Sequence, residues 1–334
     1  MEASPPRIFR FSPRRERTGP SWGGPCSAPP IRPPESGSWP HWQPPQRRNP
    51  MSEPYRYGIY EKALFKKPLP QLLEDAARAG FDNFELSLDE TDERLGRLDW
   101  DWAERSSFRQ TARDCGVQVY STCFSGQRRF PMGTMDDEKR AYSLRLMERA
   151  IQFCVDTGIR VLQVAGYDVY YEKSSAETAK RYDEGLALSA RMAERYGVLL
   201  GVEPVELYVT SVHKAMELVR AIDSPNLHVY PDAANLVTAG LDPVQEIRLG
   251  AGRMVGLHIR DATPSTCYNL PIGTGTLDFD GLFAALRELE FQHPILVELW
   301  YQDDPAGATA IRDHLRFLKK KEMSAKAFPV KGDF

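Results

Sequence analysis

LLGVE at 199–203, LHVYPD at 227–232, MVGLH at 254–258 and ILVE at 295–298 are four apolar runs that each stop on a metal-ligand type of side chain. The four stops are Glu203, Asp232, His258 and Glu298. Runs this short with a polar tip read as buried strands. The tips are 29, 26 and 40 residues apart, about the length of a strand, a helix and two loops. They therefore belong to four successive βα units. In a closed parallel barrel the C-terminal ends of the strands converge on one mouth. Three carboxylates and an imidazole gathered there repel one another unless protons or a cation neutralise them. A divalent ion answers that need, and this donor set suits Mn²⁺, Mg²⁺, Co²⁺ or Zn²⁺.

Outward from these runs the chain repeats one pattern, a helix that stops on glycine and is followed at once by a strand. Gly80, Gly116, Gly158 and Gly197 stand at such junctions, 36, 42 and 39 residues apart. Glycine there supplies the left-handed conformation that ends a helix. One helical face is legible in Leu144, Met147, Ile151 and Cys154. Strands are expected at 57–60, 83–88, 118–124, 161–165, 199–203, 228–232, 255–260 and 294–299, with a last helix over 305–320. Eight alternating units describe a single-domain (β/α)₈ TIM barrel better than a doubly wound sheet. The barrel is expected over 51–325, with a tail over 326–334.

Residues 1–50 differ in kind, with 13 of the 26 prolines, eight arginines, three glutamates and neither lysine nor aspartate. Such a segment buries no core and is expected to be a disordered extension, with Met51 as the natural start. It carries +5, so the body carries −8 of the net −3. An acidic body does not point to a nucleic-acid partner and none is expected, since phosphate backbones are bound by cations. No apolar run is long enough to span a bilayer, so neither a membrane partner nor a membrane location is expected. The five cysteines are scattered and never form a CxxC pair, which argues for reduced thiols and a cytoplasmic protein. A homodimer is carried as an expectation.

Other stretches invite both a functional and a plainer reading. Arg128 and Arg129, in the loop SGQRRFP at 125–131, suit an anionic substrate, or else form a salt-bridged surface loop. Glu61 and Lys62 follow the first strand, where Lys62 is placed to meet a phosphate. The acidic run DETDE at 89–93 reads as a solvated loop and helix start rather than a second metal site. Tyr167, Tyr170 and Tyr171 either wall the pocket or pack over the rim. Arg260, two residues past an inward histidine, points back toward the mouth.

GIYEKAL from Gly58, DETDERLGRLDW from Asp89, RRFPMG from Arg128, AGYDVYY from Ala165, YPDAANL from Tyr230 and HIRD from His258 resemble the L-ribulose-5-phosphate (L-xylulose-5-phosphate) 3-epimerases. These are xylose-isomerase-like TIM barrels of pentose and ascorbate catabolism. The resemblance covers roughly Tyr55 to Lys320. It implies that Glu203, Asp232, His258 and Glu298 hold a divalent metal, that Glu203 and Glu298 are also the catalytic acid/base pair, and that the partner is a phosphorylated ketopentose. Lys62, Arg128 and Arg260 are the expected substrate-binding residues. The chain departs from the family at Gln127, Thr263 and Thr274, where histidine, lysine and glutamate are usual, and at Arg260, where lysine is. The implied reaction is two-base proton transfer at C3 through an enediolate. The rivals are an aldose-ketose isomerase on the same fold, a DNA-repair endonuclease, which needs more histidines, and a non-catalytic sugar-binding protein.

Overall fold

The computed structural model describes residues 54–326. The extension expected over 1–50 and the tail beyond Lys326 lie outside them. Eight parallel strands alternate with helices: β1 (Tyr57–Tyr60), β2 (Asn83–Ser87), β3 (Gln118–Phe124), β4 (Val161–Ala165), β5 (Leu199–Glu203), β6 (Leu227–Val229), β7 (Leu257–Ile259) and β8 (Ile295–Val297). The helices are α1 (Leu69–Ala79), α2 (Asp92–Leu95), α3 (Trp102–Asp114), α4 (Asp137–Thr157), α5 (Ala176–Tyr196), α6 (Val212–Ile222), α7 (Ala233–Thr238), α8 (Pro243–Leu249), α9 (Phe279–Glu288) and α10 (Gly307–Lys326). The ladder runs β6-β5-β4-β3-β2-β1-β8-β7. Two isolated parallel bridges, Val229 with Met254 and Asp232 with His258, join β6 to β7 and close the barrel.

The glycine junctions behave as the pattern requires. Gly80, Gly116, Gly158 and Gly197 all have φ between 69° and 91°, a left-handed conformation that would strain any side chain. The late strands are shorter than expected, and the reason is local. Pro231 has no N–H to offer a ladder, so regular pairing of β6 stops at Val229 and the chain turns toward α7. Of the four tips only Glu203 ends its strand, Glu298 stands one residue past β8, and the other two are displaced differently. Asp232 stands beyond β6 as the N-cap of α7, and His258 lies in the middle of β7.

Strands and helices are sealed by one continuous apolar shell. A second, smaller cluster of Tyr120, Val161, Tyr230, Val255 and Leu296 draws on opposite sides of the sheet, so it fills the barrel interior. The Tyr230 ring lies where a side chain at position 256 would sit, 2.5 Å from an added Cβ, so only glycine fits at Gly256. This plug is the floor on which the polar mouth rests.

Candidate active site

Glu203, Asp232, His258 and Glu298 converge at the mouth, and each offers a ligand atom within 4.8 Å of the others. All four are buried. Glu203 is the last residue of β5, and Glu298 follows β8 directly. Asp232 does two jobs. Its Oδ1 accepts from the backbone of Ala234 at 2.7 Å and Asn235 at 3.2 Å, capping α7. Its Oδ2 faces the Arg260 Nη1 at 2.5 Å. The capping reading is thus met by one oxygen of the carboxylate, and the other stands within the cluster.

Glu85 was not singled out by the sequence reading, and it completes the arrangement. From β2 it reaches the Nε2 of His258 at 2.7 Å, which leaves Nδ1 facing Glu203 at 3.0 Å and Glu298 at 3.6 Å. Ser121 Oγ donates to Glu85 at 2.6 Å, and the hydroxyl of Tyr230 donates at 3.2 Å. A carboxylate behind a ligating imidazole sets its tautomer and orientation. The signal was present, since a glutamate inside the buried strand NFELS needs a partner.

Arg260 reaches across the cluster from the end of β7. It pairs with Asp232 and Glu298, donates to Asn235 Oδ1 at 2.9 Å, and lies 4.6 Å from the Trp300 ring centroid. Gln163 Nε2 donates to Glu203, while its Oε1 accepts from the Phe124 N–H at 3.2 Å. The electrostatics record a surplus of negative charge. Burial, with Glu298 adding to it, pushes the Asp232 carboxyl up to about 6 despite Arg260. Burial likewise raises Glu203, against the pull of His258. For His258 burial acts downward, but Glu85, Glu298 and Glu203 outweigh it and hold the imidazole well above its ordinary range. Three carboxylates and one imidazole are a donor set that fits a hard or borderline divalent cation.

The other nominated residues are arranged differently. Lys62 pairs with Asp89 at 2.5 Å. Glu61 is gripped by Arg97 at 2.6 and 2.8 Å and by Arg94 at 3.1 Å, so it is not free to meet a ligand. The acidic run departs from its solvated reading at Asp89, which is buried between Lys62, Arg94 and the Thr91 hydroxyl. Thr91 starts α2, as a helix-start reading requires. Arg128 lies 4.9 Å over the Tyr170 ring, and Tyr170 packs edge-on to both Tyr167 and Tyr171.

With this geometry in hand, comparison with known proteins is direct. The family profile of the xylose isomerase-like TIM barrels matches residues 73–321. L-ribulose-5-phosphate 3-epimerase UlaE of Escherichia coli O157:H7 (strain EC4115 / EHEC) is 40% identical over 264 residues, 78% of this chain and 93% of that protein. The same-named protein of Escherichia fergusonii is also 40% identical over 264 residues, with the same coverage of 78% and 93%. The chain belongs to the L-ribulose-5-phosphate 3-epimerase family of xylose isomerase-like TIM barrels. Membership makes this epimerase-family chain a carbohydrate epimerase or isomerase. Among solved structures, an L-ribulose 3-epimerase superposes with a TM-score of 0.67 at 19% identity, covering 82% of this chain and 96% of that one. The 3-keto-D-glucoside 4-epimerase YcjR from E. coli, apo form, gives 0.67 at 21%, covering 80% and 100%. At such identities these two speak for the fold.

Proposed function

We propose that this epimerase-family protein interconverts L-ribulose 5-phosphate and L-xylulose 5-phosphate, with Glu203 and Glu298 as the two acid/base groups. The observation that carries this reading is the buried cluster itself, in which the two glutamates approach the same imidazole nitrogen from β5 and β8. Inverting C3 of a ketose requires removal of the proton beside the C2 carbonyl and return of a proton from the opposite face. Two carboxylates on separate strands answer that requirement, each worth about 10² to 10⁴ in rate. Burial raises the proton affinity of Glu203 above that of an ordinary carboxylate, the direction that a group serving as both acid and base requires.

Glu203, Asp232, His258 and Glu298 would hold the divalent metal, whose chemistry when bound is Lewis-acid polarisation of the ketose oxygens. Glu85 keeps the imidazole aligned, and Gln163 steadies the Glu203 carboxylate through its amide. Arg260 tempers the negative charge at Asp232 and Glu298, and the Trp300 face holds its guanidinium in place. A phosphorylated sugar does not cross membranes unaided, which places the enzyme with its substrate in the cytoplasm. Among the described residues, no helix is long and apolar enough to cross a membrane.

The decisive experiment is NMR of L-ribulose 5-phosphate in D₂O with the Mn²⁺-loaded enzyme. Epimerisation gives L-xylulose 5-phosphate with deuterium at C3. Deuterium at C1 or C2, with an aldose as product, establishes the aldose-ketose isomerase instead. Exhaustive chelation abolishes turnover and lowers the melting temperature, because the ion binds the native state alone. Full activity with metal content verified as nil overturns the metal reading.

A further inference from the structure

The end of the barrel opposite the mouth carries charges that the active site does not use. Arg56, Arg160 and Arg253 stand at the N-terminal entries of β1, β4 and β7, His228 lies in β6, and His293 comes just before β8. Main-chain bonds tie these entries into one rim. The Ile295 N–H donates to the Arg56 carbonyl at 3.1 Å, the Arg160 N–H to that of Tyr120 at 3.3 Å and the Val229 N–H to that of Arg253 at 2.9 Å. Among the described residues none of the three guanidinium groups forms an ion pair, and Arg56 Nη1 donates only to the neutral Gln118 Oε1 at 3.1 Å. Asp82, which precedes β2, accepts from the Tyr57 N–H at 3.1 Å and pairs with none of them.

A second observation at the same end is a buried amide with nothing to bond. Asn83 is 0% exposed, and neither its Nδ2 nor its Oδ1 has a hydrogen-bond partner. It shares a face of β2 with Glu85, which turns into the barrel to meet His258, so the Asn83 amide also lies inside, one step nearer the rim. His228 directs Nε2 at the Pro225 carbonyl, 3.0 Å away, and its Nδ1 is buried without a partner. Tyr120 donates its hydroxyl to the Val255 carbonyl at 2.6 Å and stands 3.1 Å from Nδ1 of His293. Leaving buried polar atoms unpaired is costly, and native structures rarely tolerate it without a reason. Burial, then His228 and Arg56, push the His293 imidazole down to about 4, and burial with Arg253 lowers His228. No carboxylate is among the groups acting on either ring.

We propose that this rim is a second binding site, for a small dianion of the phosphate class, with Arg56 and Arg253 gripping its oxygens and the Asn83 amide donating from inside the barrel. Guanidinium forks without a carboxylate are the groups that bind such oxygens with charge-assisted bonds. A water molecule would complete the Asn83 amide but would leave the arginine charges facing two imidazoles. An anion relieves both. Arg160, exposed at the edge, adds to the attraction at longer range. The site lies at the far end of the barrel from Glu203 and Glu298, across the apolar plug, and does not depend on which sugar the mouth accepts.

The test is an NMR titration of the full chain, labelled in its histidine rings, with inorganic phosphate and separately with glycerol 3-phosphate at constant ionic strength. The resonances of His228 and His293, assigned from His228→Gln and His293→Gln, should move saturably, and chloride at the same ionic strength should leave them in place. The double variant Arg56→Gln with Arg253→Gln should weaken that binding by roughly 10-fold or more. Its melting temperature and its turnover should stay close to wild type and show that the barrel is intact. Asn83→Leu should weaken binding by about fivefold, since one donor is lost and the charges remain. Saturation by inorganic phosphate assigns the free ion, and tighter binding of glycerol 3-phosphate assigns a phosphomonoester. Rings that do not respond to either probe overturn the site, as do shifts that chloride reproduces or that persist unchanged in the double variant.

Discussion

Around β1 and β2, Glu61 and Asp89 are buried against Lys62, Arg94 and Arg97; at the mouth of β5 to β8, Glu203, Asp232 and Glu298, with Glu85 of β2 behind His258, are buried against the cations His258 and Arg260. Both clusters sit toward the C-terminal end of one barrel, on different strands. Burial raises carboxyl proton affinity in each, but in the first cluster the cations prevail. Arg97 and Arg94 hold Glu61 below the ordinary carboxylate range, and Lys62 with Thr91 holds Asp89 down at about 2. In the second cluster burial and mutual repulsion win, and Asp232 and Glu203 move up. Buried charge as such therefore does not mark a functional centre. The first set has three cations for two carboxylates and the second has four carboxylates for two cations, so only the second calls for an added cation to balance it.

The largest effect expected from breaking this contrast is in catalysis. Glu203→Gln and Glu298→Gln, each reloaded with saturating metal, should lose about 10² or more in turnover. Each should still exchange the C3 proton of one epimer with solvent, a different epimer for each variant, because the surviving base serves one face. Deuterium wash-in measured separately on the two pentulose phosphates reads this directly. Near-normal epimerisation by both variants makes the two glutamates ligands only.

A second pair of variants should move stability in opposite directions. Arg97→Met leaves Glu61 under-compensated in a buried place and should destabilise the protein by about 3 kcal/mol in denaturant unfolding. Asp232→Asn keeps the α7 cap yet removes a charge the unliganded cluster disfavours. Asp232 in the folded chain titrates near 6 against an ordinary 3.8, so stability falls as pH rises from about 4 to 6. The asparagine variant should escape that loss and, after chelation, melt above the chelated wild type at pH 7, while gaining nothing from added metal. A lower melting temperature would mean that Asp232 is a net stabiliser even without the ion.

Glu85→Gln sharpens the comparison from behind the metal. With the imidazole less firmly aligned, metal affinity should fall by about 10- to 100-fold, read by titration with a chelating competitor. Unaltered affinity would reduce Glu85 to a structural partner of Ser121 and Tyr230. The smallest effect belongs to Asp89. Its folded pKa lies below the unfolded one, so its contribution is complete above about pH 4 and disappears as pH falls toward 2. With solvent screening allowed for, acid unfolding of Asp89→Asn against wild type should differ by about 1 kcal/mol above that window and converge within it.

The eight-fold repeat was legible along the chain because glycine stops and apolar runs are local signals, and five of the eight strands begin where the pattern places them. β6, β7 and β8 were overextended at one or both ends, since their ends depend on whether a neighbour offers a pairing edge, as at Pro231. The four acidic and imidazole tips were readable because each interrupts an apolar run with a group that is expensive to bury. Glu85 does the same inside NFELS, yet its partner His258 lies 173 residues away, beyond the reach of any spacing rule.

Sequence alone determined the barrel, the four convergent side chains and the acidic body, for periodicity, turn chemistry and residue type act over a few neighbours. Tertiary structure decided which charges were already paired. Lys62, Arg128 and Arg260 are equivalent cations in the chain, but closure of the barrel sets Asp89 beside the first and Asp232 and Glu298 beside the third, and leaves the second against an aromatic face. Pairing is a property of distance in space, and only the folded chain has those distances.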